Sequence, residues 1–169
     1  MTTVSDHRRR GRLRERPATY RARLDGPLYC DASALLKLYF PEPGSNELNR
    51  VLEGREDLLA SDLAVTEIVS ALARRARVNA LGWAEASRVR RAVLTALEGG
   101  ACQRVELTRD VHREAERLLL SRSGVPLRAA DALHLALAVS AHAASLATFD
   151  VHLSAAARGV GLTTYPPAL

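Results

Sequence analysis

Four acidic residues, Asp31, Glu67, Asp131 and Asp150, sit in mostly apolar stretches of a 169-residue chain, where the hydrophobic pattern begins or breaks. Isolated carboxylates in apolar surroundings are costly unless a positive group compensates them. Cations are scarce at those places: of 24 Lys and Arg residues only Lys37 is a lysine, and the arginines cluster elsewhere. Two like charges about 4 Å apart repel by roughly 4 kcal/mol at an effective dielectric near 20. Gathering the four therefore takes protonation or a shared cation. Carboxylate oxygens are hard ligands and suit Mg2+ or Mn2+. Such an ion polarises a phosphate oxygen and lowers the pKa of a bound water. The separations of 36, 64 and 19 residues form no local metal motif. Spacing alone leaves open whether the four meet, and each acid taken singly reads first as a helix cap or a surface charge.

The elements that would position them follow from the apolar pattern. Residues 28–30 (Leu-Tyr-Cys) form a short apolar run that reads as a buried strand, with Asp31 directly after it. A helix is expected over 32–39, stopped by Pro41 and Pro43, and another over 45–52. Strand 58–60 leads to Ser61 or Asp62, either of which can cap a long helix to about 78 that carries Glu67 in its first turns. Further helices are expected over 83–97, from Thr108 or Asp110 to 121, over 127–143 and over 154–158. Further strands are expected over 103–107, 146–149 and 162–165. Asp131 lies in the first turn of helix 127–143, which is apolar nearly all round and so reads as buried. Its N-terminal dipole favours an anion by only about 0.3–1 kcal/mol. Asp150 directly follows strand 146–149. Strands alternating with helices predict an α/β sandwich with a mostly parallel sheet, in which ligands collect at the carboxyl ends of strands.

The chain length suits one domain. No apolar run reaches the ~18 residues of a membrane span, no secretory h-region opens the chain, and no membrane partner is expected. Cys30 and Cys102 form no zinc-type cluster and read as reduced, buried residues of a cytoplasmic protein. The net charge of +5 lies in residues 1–26, where eight Arg face three acids; residues 27–169 hold 16 basic and 16 acidic groups. Residues 1–26 therefore read as a basic flexible arm and 27–169 as the globular domain. The arm is either a phosphate-binding tail or an incidental extension. The Arg74, Arg75, Arg77 group ends the helix carrying Glu67, where positive charge suits the helix terminus; it is also a candidate RNA-binding surface. His134, three residues after Asp131, either supports a carboxylate or packs in the core. Trp83 is expected in the core, with a partner groove as the sharper alternative. No Ser–His–Asp or His–His constellation points to another hydrolytic route. A phosphoaspartyl-type phosphohydrolase would want an Asp two residues after Asp31, where Ser33 stands.

Four stretches in order, YCDASALLKLYFPEPGS, SDLAVTEIVSALAR, LRAADALHLALA and LATFDVHL, resemble the PIN-domain family, most closely its VapC-type toxins. The likeness covers about residues 28–165. It implies a PIN-like α/β/α sandwich and a metal-dependent endoribonuclease, with Mg2+ (or Mn2+) as cofactor and RNA as substrate. It implies a cognate VapB-like antitoxin laid over the active-site side, and often a homodimer. By motif position Asp31, Glu67 and Asp131 carry over as the main catalytic and metal-site acids, with Asp150 as the more variable fourth. Ser33 and Thr148 occupy hydroxyl positions beside the first and fourth acids, as supporting residues; an ordinary strand Thr reads as well for Thr148. An RNA-processing nuclease outside a toxin–antitoxin pair and a catalytically silent PIN-fold binding module remain the alternatives. The arm and Cys30 depart from the family's pattern.

Overall fold

The computed structural model describes residues 24–121 and 125–167. Five strands, β1 (Leu28–Cys30), β2 (Leu58–Ser61), β3 (Gln103–Val105), β4 (Ser145–Ala147) and β5 (Thr163–Tyr165), form one sheet in the order β3-β2-β1-β4-β5. Every pair is parallel, so the mostly parallel sheet expected from sequence is parallel throughout. Successive side chains on a strand point to opposite faces, and at the three central strands, β2, β1 and β4, both faces are covered. Leu28, Cys30, Ala60 and Ala147 meet one apolar core, and Tyr29, Leu59 and Leu146 meet the other. Coverage on both sides explains why these strands are continuous apolar runs rather than alternating ones.

The first core is closed by α1 (Ala32–Leu36), α2 (Ser45–Leu52), α3 (Asp62–Arg77) and α4 (Trp83–Glu98); the second by α5 (Arg109–Leu119), α6 (Ala129–Ser140) and α7 (Val151–Gly159). The result is an α/β/α sandwich. No helix among the described residues is long and apolar enough to cross a membrane.

Several boundaries differ from the sequence expectation for local reasons. Strand 146–149 ends at Ala147 because Asp150 caps α7, taking the amides of His152 at 2.8 Å and Leu153 at 2.9 Å. Helix 32–39 ends as a helix at Leu36 and continues only as turns before Pro41. Trp83, expected in the core, is 60% exposed. It sits at the first position of α4, which buries only Ala86 and Val93, so its ring lies off the packed face.

Most of the expected arm, residues 1–23, lies outside the described residues. Its last three positions do not: Leu24 is buried in the first core, and the Arg55 guanidinium holds the Leu24 carbonyl at 2.8 Å and the Gly26 carbonyl at 2.6 Å. Gly26 has φ +62°, and a Cβ there would lie 2.6 Å from the Ala144 Cβ, so only glycine lets the chain enter β1 this close to β4.

Candidate active site

In an all-parallel sheet the carboxyl ends of the strands share one edge. Asp31 follows β1, Ser61 ends β2, and Thr148 to Asp150 follow β4, so all reach that edge. α6 joins it differently. Only residues 141–144 separate α6 from β4, so α6 runs against the strand and its first turn, with Asp131, returns to the carboxyl edge.

Asp31 is the most constrained of the four, with 4% of its surface exposed. It caps α1, and its Oδ1 accepts the Ala34 amide at 2.9 Å and the Ser33 hydroxyl at 2.7 Å. Its Oδ2 accepts the Thr148 hydroxyl at 2.6 Å. The two hydroxyls are themselves fixed: Ser33 Oγ accepts the Phe149 amide at 2.8 Å and Thr148 Oγ1 accepts the Asp150 amide at 3.0 Å. Three protons thus face a group with about four lone-pair sites. Burial pushes the Asp31 carboxyl above the usual range, against the opposing pull of the Thr148, Ala34 and Ser33 donors and of His134. No Lys or Arg pairs with it among the described residues.

The other three acids share a pattern. Glu67 Oε2 meets His134 Nε2 at 2.7 Å. Asp131 Oδ2 accepts the Arg128 amide at 3.1 Å, which ties the first turn of α6. Asp150 Oδ1 takes the two α7 amides. In each case one oxygen is anchored and the other has no hydrogen-bond partner among the described residues. Each is half-buried, and none pairs with Lys or Arg there.

Hydrogen bonds and helix spacing sort the four into two groups. Thr148 Oγ1 donates to the Asp31 carboxylate and accepts the Asp150 backbone amide; Thr148 is 1% exposed and lies just past β4, so its hydroxyl is part of the site rather than of an ordinary strand. Glu67 is joined to His134, which lies one turn beyond Asp131 on α6. His134 is at once core and support: it is 2% exposed and bonds a carboxylate. Among the described residues no three His, Cys, Asp or Glu side chains converge closely enough to hold a metal ion unaided. The donor chemistry nonetheless fits a hard cation: the available atoms are carboxylate oxygens, with no thiolate among them. Mg2+ is usually bound through one or two carboxylates, with waters completing its octahedron.

Sequence reasoning passed over Tyr29. The Tyr29 hydroxyl lies 2.8 Å from His134 Nδ1 and 2.8 Å from Ser61 Oγ. The available signal was a phenol inside an apolar strand, because a buried tyrosine hydroxyl needs a partner. Of the basic group on α3, Arg75 is occupied by Glu42 at 2.7 Å and stacks on Phe40. Arg74 and Arg77 are exposed, and Arg74, two turns after Glu67, shares its face of the helix. Both cysteines are free, and burial pushes each thiol up, which leaves neither activated as a thiolate.

The PIN domain family profile matches residues 28–159. The chain is 35% identical over 144 residues to Ribonuclease VapC45 of Mycobacterium tuberculosis, covering 84% of this chain and 96% of that protein. Among solved structures, PAE2754 from Pyrobaculum aerophilum superposes with a TM-score of 0.60 at 27% identity, over 82% of this chain and 83% of that one. M. tuberculosis VapC20, a sarcin-ricin-loop-cleaving toxin, gives 0.62 at 18% identity over 76% and 94%. VapBC2 from Rickettsia felis, solved on a promoter DNA fragment, gives 0.56 at 12% identity over 81% and 96%. The chain belongs to the PIN domain family and, within it, to the VapC-type proteins.

Proposed function

We propose that this chain is an endoribonuclease toxin that hydrolyses RNA phosphodiester bonds with Mg2+ or Mn2+ and is neutralised by a cognate VapB-like antitoxin. The observation that carries the reading is the set of half-anchored acids at one sheet edge. Among the described residues Glu67, Asp131 and Asp150 each keep one oxygen tied to the protein and the other without a partner, and Asp31 is buried with no Lys or Arg beside it. Four oriented acceptors without an internal counter-ion are a costly arrangement, and a divalent cation with its waters is what offsets it. The ribonuclease relatives supply the substrate class, and the VapBC pair among the structural neighbours supplies the kind of partner.

The roles divide by anchoring. Asp31, held by Ser33, Thr148 and the Ala34 amide, presents its remaining lone pair in one fixed direction. Glu67 and Asp131 offer one free oxygen each from neighbouring helices, and Asp150 completes the edge from α7. When bound, the cation supplies a Lewis acid for the scissile phosphate and lowers the pKa of a coordinated water. Arg74 and Arg77 are the exposed α3 arginines that could meet the RNA backbone, since Arg75 is spent on Glu42. A homodimer and a cytoplasmic location belong to the same proposal.

The test is induced expression of wild type and Asp131→Asn in a bacterial host. Wild type arrests growth and yields RNA fragments whose formation in extracts stops with chelator; Asp131→Asn does neither. Equal arrest by both proteins, or fragments that form in chelator, would sink the metal-site reading.

A further inference from the structure

We propose that Tyr29 and His134 are positioning residues for Glu67, forming a buried proton-ordered relay that sets which Glu67 oxygen is left for the cation. The role rests on the metal-site reading above and adds residues that reading does not use.

The relay can be ordered by counting protons. Ser61 Oγ caps α3 and accepts the Ala64 amide at 3.4 Å. No other acceptor lies within hydrogen-bond reach of Ser61 Oγ among the described residues, so its single proton goes to the Tyr29 oxygen at 2.8 Å. With that oxygen accepting from Ser61, the Tyr29 proton goes to the other neighbour, His134 Nδ1, also at 2.8 Å. A neutral imidazole has one donor and one acceptor nitrogen. Nδ1 accepts, so Nε2 carries the hydrogen and donates to Glu67 Oε2 at 2.7 Å. The chain runs Ala64 amide, Ser61, Tyr29, His134, Glu67, and every link is a donor meeting an acceptor. No buried side-chain polar atom is left without a partner among the described residues.

Packing locks the relay as firmly as its hydrogen bonds. Tyr29 is fully buried in the central strand, and its ring meets the imidazole edge-on, with centroids 5.8 Å apart. The five groups come from β1, β2, α3 and α6. Glu67 is half-exposed, so without His134 its side chain would sample several rotamers. With Oε2 held, Oε1 is the oxygen without a hydrogen-bond partner among the described residues and so the one left for the cation. Partners of this kind orient a metal-binding side chain, and their loss typically costs about 10–100-fold in metal affinity or activity.

Calorimetric titration with Mn2+ and cleavage of RNA by the purified full chain test this. His134→Ala and Tyr29→Phe should each bind Mn2+ more weakly, His134→Ala by about 10–100-fold and Tyr29→Phe by less, since Phe keeps the packing and His134 and loses only the hydroxyl. His134→Gln should restore most of the affinity, because its amide nitrogen can occupy the Nε2 position and donate to Glu67. A merely structural His134 would show no such rescue by Gln. Wild-type Mn2+ affinity and turnover in folded His134→Ala and Tyr29→Phe, beside an inactive Glu67→Gln, would overturn the relay alone. A Glu67→Gln protein with wild-type affinity and turnover would overturn the metal-site reading and the relay with it.

Discussion

Asp31 shows how one residue couples stability to cation binding. Burial raises its carboxyl above the usual range, so the folded chain holds that proton more tightly than the unfolded one. The sign follows: stability from this group is full below the unfolded value near 3.8 and is lost as pH rises through the raised folded value. A cation needs the ionised form, so Mn2+ affinity should grow over the same window. In chelator, wild-type melting temperature should fall with rising pH across it. Saturating Mn2+, at ~100 times its Kd, adds about 2.7 kcal/mol, or roughly 5–10 °C for a chain of this size. Asp31→Asn has no proton to lose. Its melting curve should flatten with pH, sit at or above wild type in chelator at neutral pH, and gain nothing from Mn2+. A variant that keeps the slope or the Mn2+ gain would place both effects on another group. Asp31 was legible in sequence as an acid after a strand. Its three donors were not: Ser33 and Thr148 could be flanked to it only by resemblance, and the Thr148 contact joins residues 117 apart.

At the scale of elements, helix starts do two jobs here, and a comparison of caps separates them. Ser61 caps α3 and Thr108 caps α5, each accepting the amide three residues on, Ala64 at 3.4 Å and Val111 at 3.3 Å. Removing either hydroxyl should cost about 1 kcal/mol, a typical cap loss. Ser61→Ala also takes the proton donor from the Tyr29 oxygen, so it should lower turnover and Mn2+ affinity several-fold. Thr108 bonds neither the relay nor any of the four acids, so Thr108→Ala should leave both unchanged at matched loss of stability. Urea unfolding paired with Mn2+ titration reads the two effects separately, and equal functional losses in the two variants would mean that general destabilisation explains them. Most elements were readable because pattern and punctuation agreed: α3 and α5 begin at Ser or Thr caps, and α6 is apolar all round. Where they disagreed, a side-chain cap or the extent of packing decided. α7 starts at Asp150 rather than near Ser154 because one carboxylate cap captures two amides. Trp83 escaped the core because α4 packs on so little of its surface.

For the whole molecule, the charge distribution poses a problem that the fold alone does not solve. The site gathers acids at the edge where a polyanion must approach, while residues 27–169 carry no net charge to attract it. Long-range attraction therefore falls to the N-terminal stretch, where residues 1–23 hold eight Arg against Asp6 and Glu15. Screening limits that attraction to about 8–10 Å at physiological ionic strength, so any contribution must come from direct phosphate contacts, which release counter-ions. Each phosphate neutralised on single-stranded RNA contributes about 0.7 to the slope of log affinity against log salt. If three or more of the eight arginines make such contacts, deleting residues 1–23 should reduce that slope by at least about 2. RNA affinity at low salt should fall with it, whereas the Mn2+-dependent gain in melting temperature should stay, because no acid of the site is removed. Filter binding of a single-stranded RNA across a salt series, on the full chain and the truncated one, measures the slope directly. An unchanged slope would make the basic stretch incidental to RNA binding, and would shift the phosphate contacts to Arg74 and Arg77 on α3.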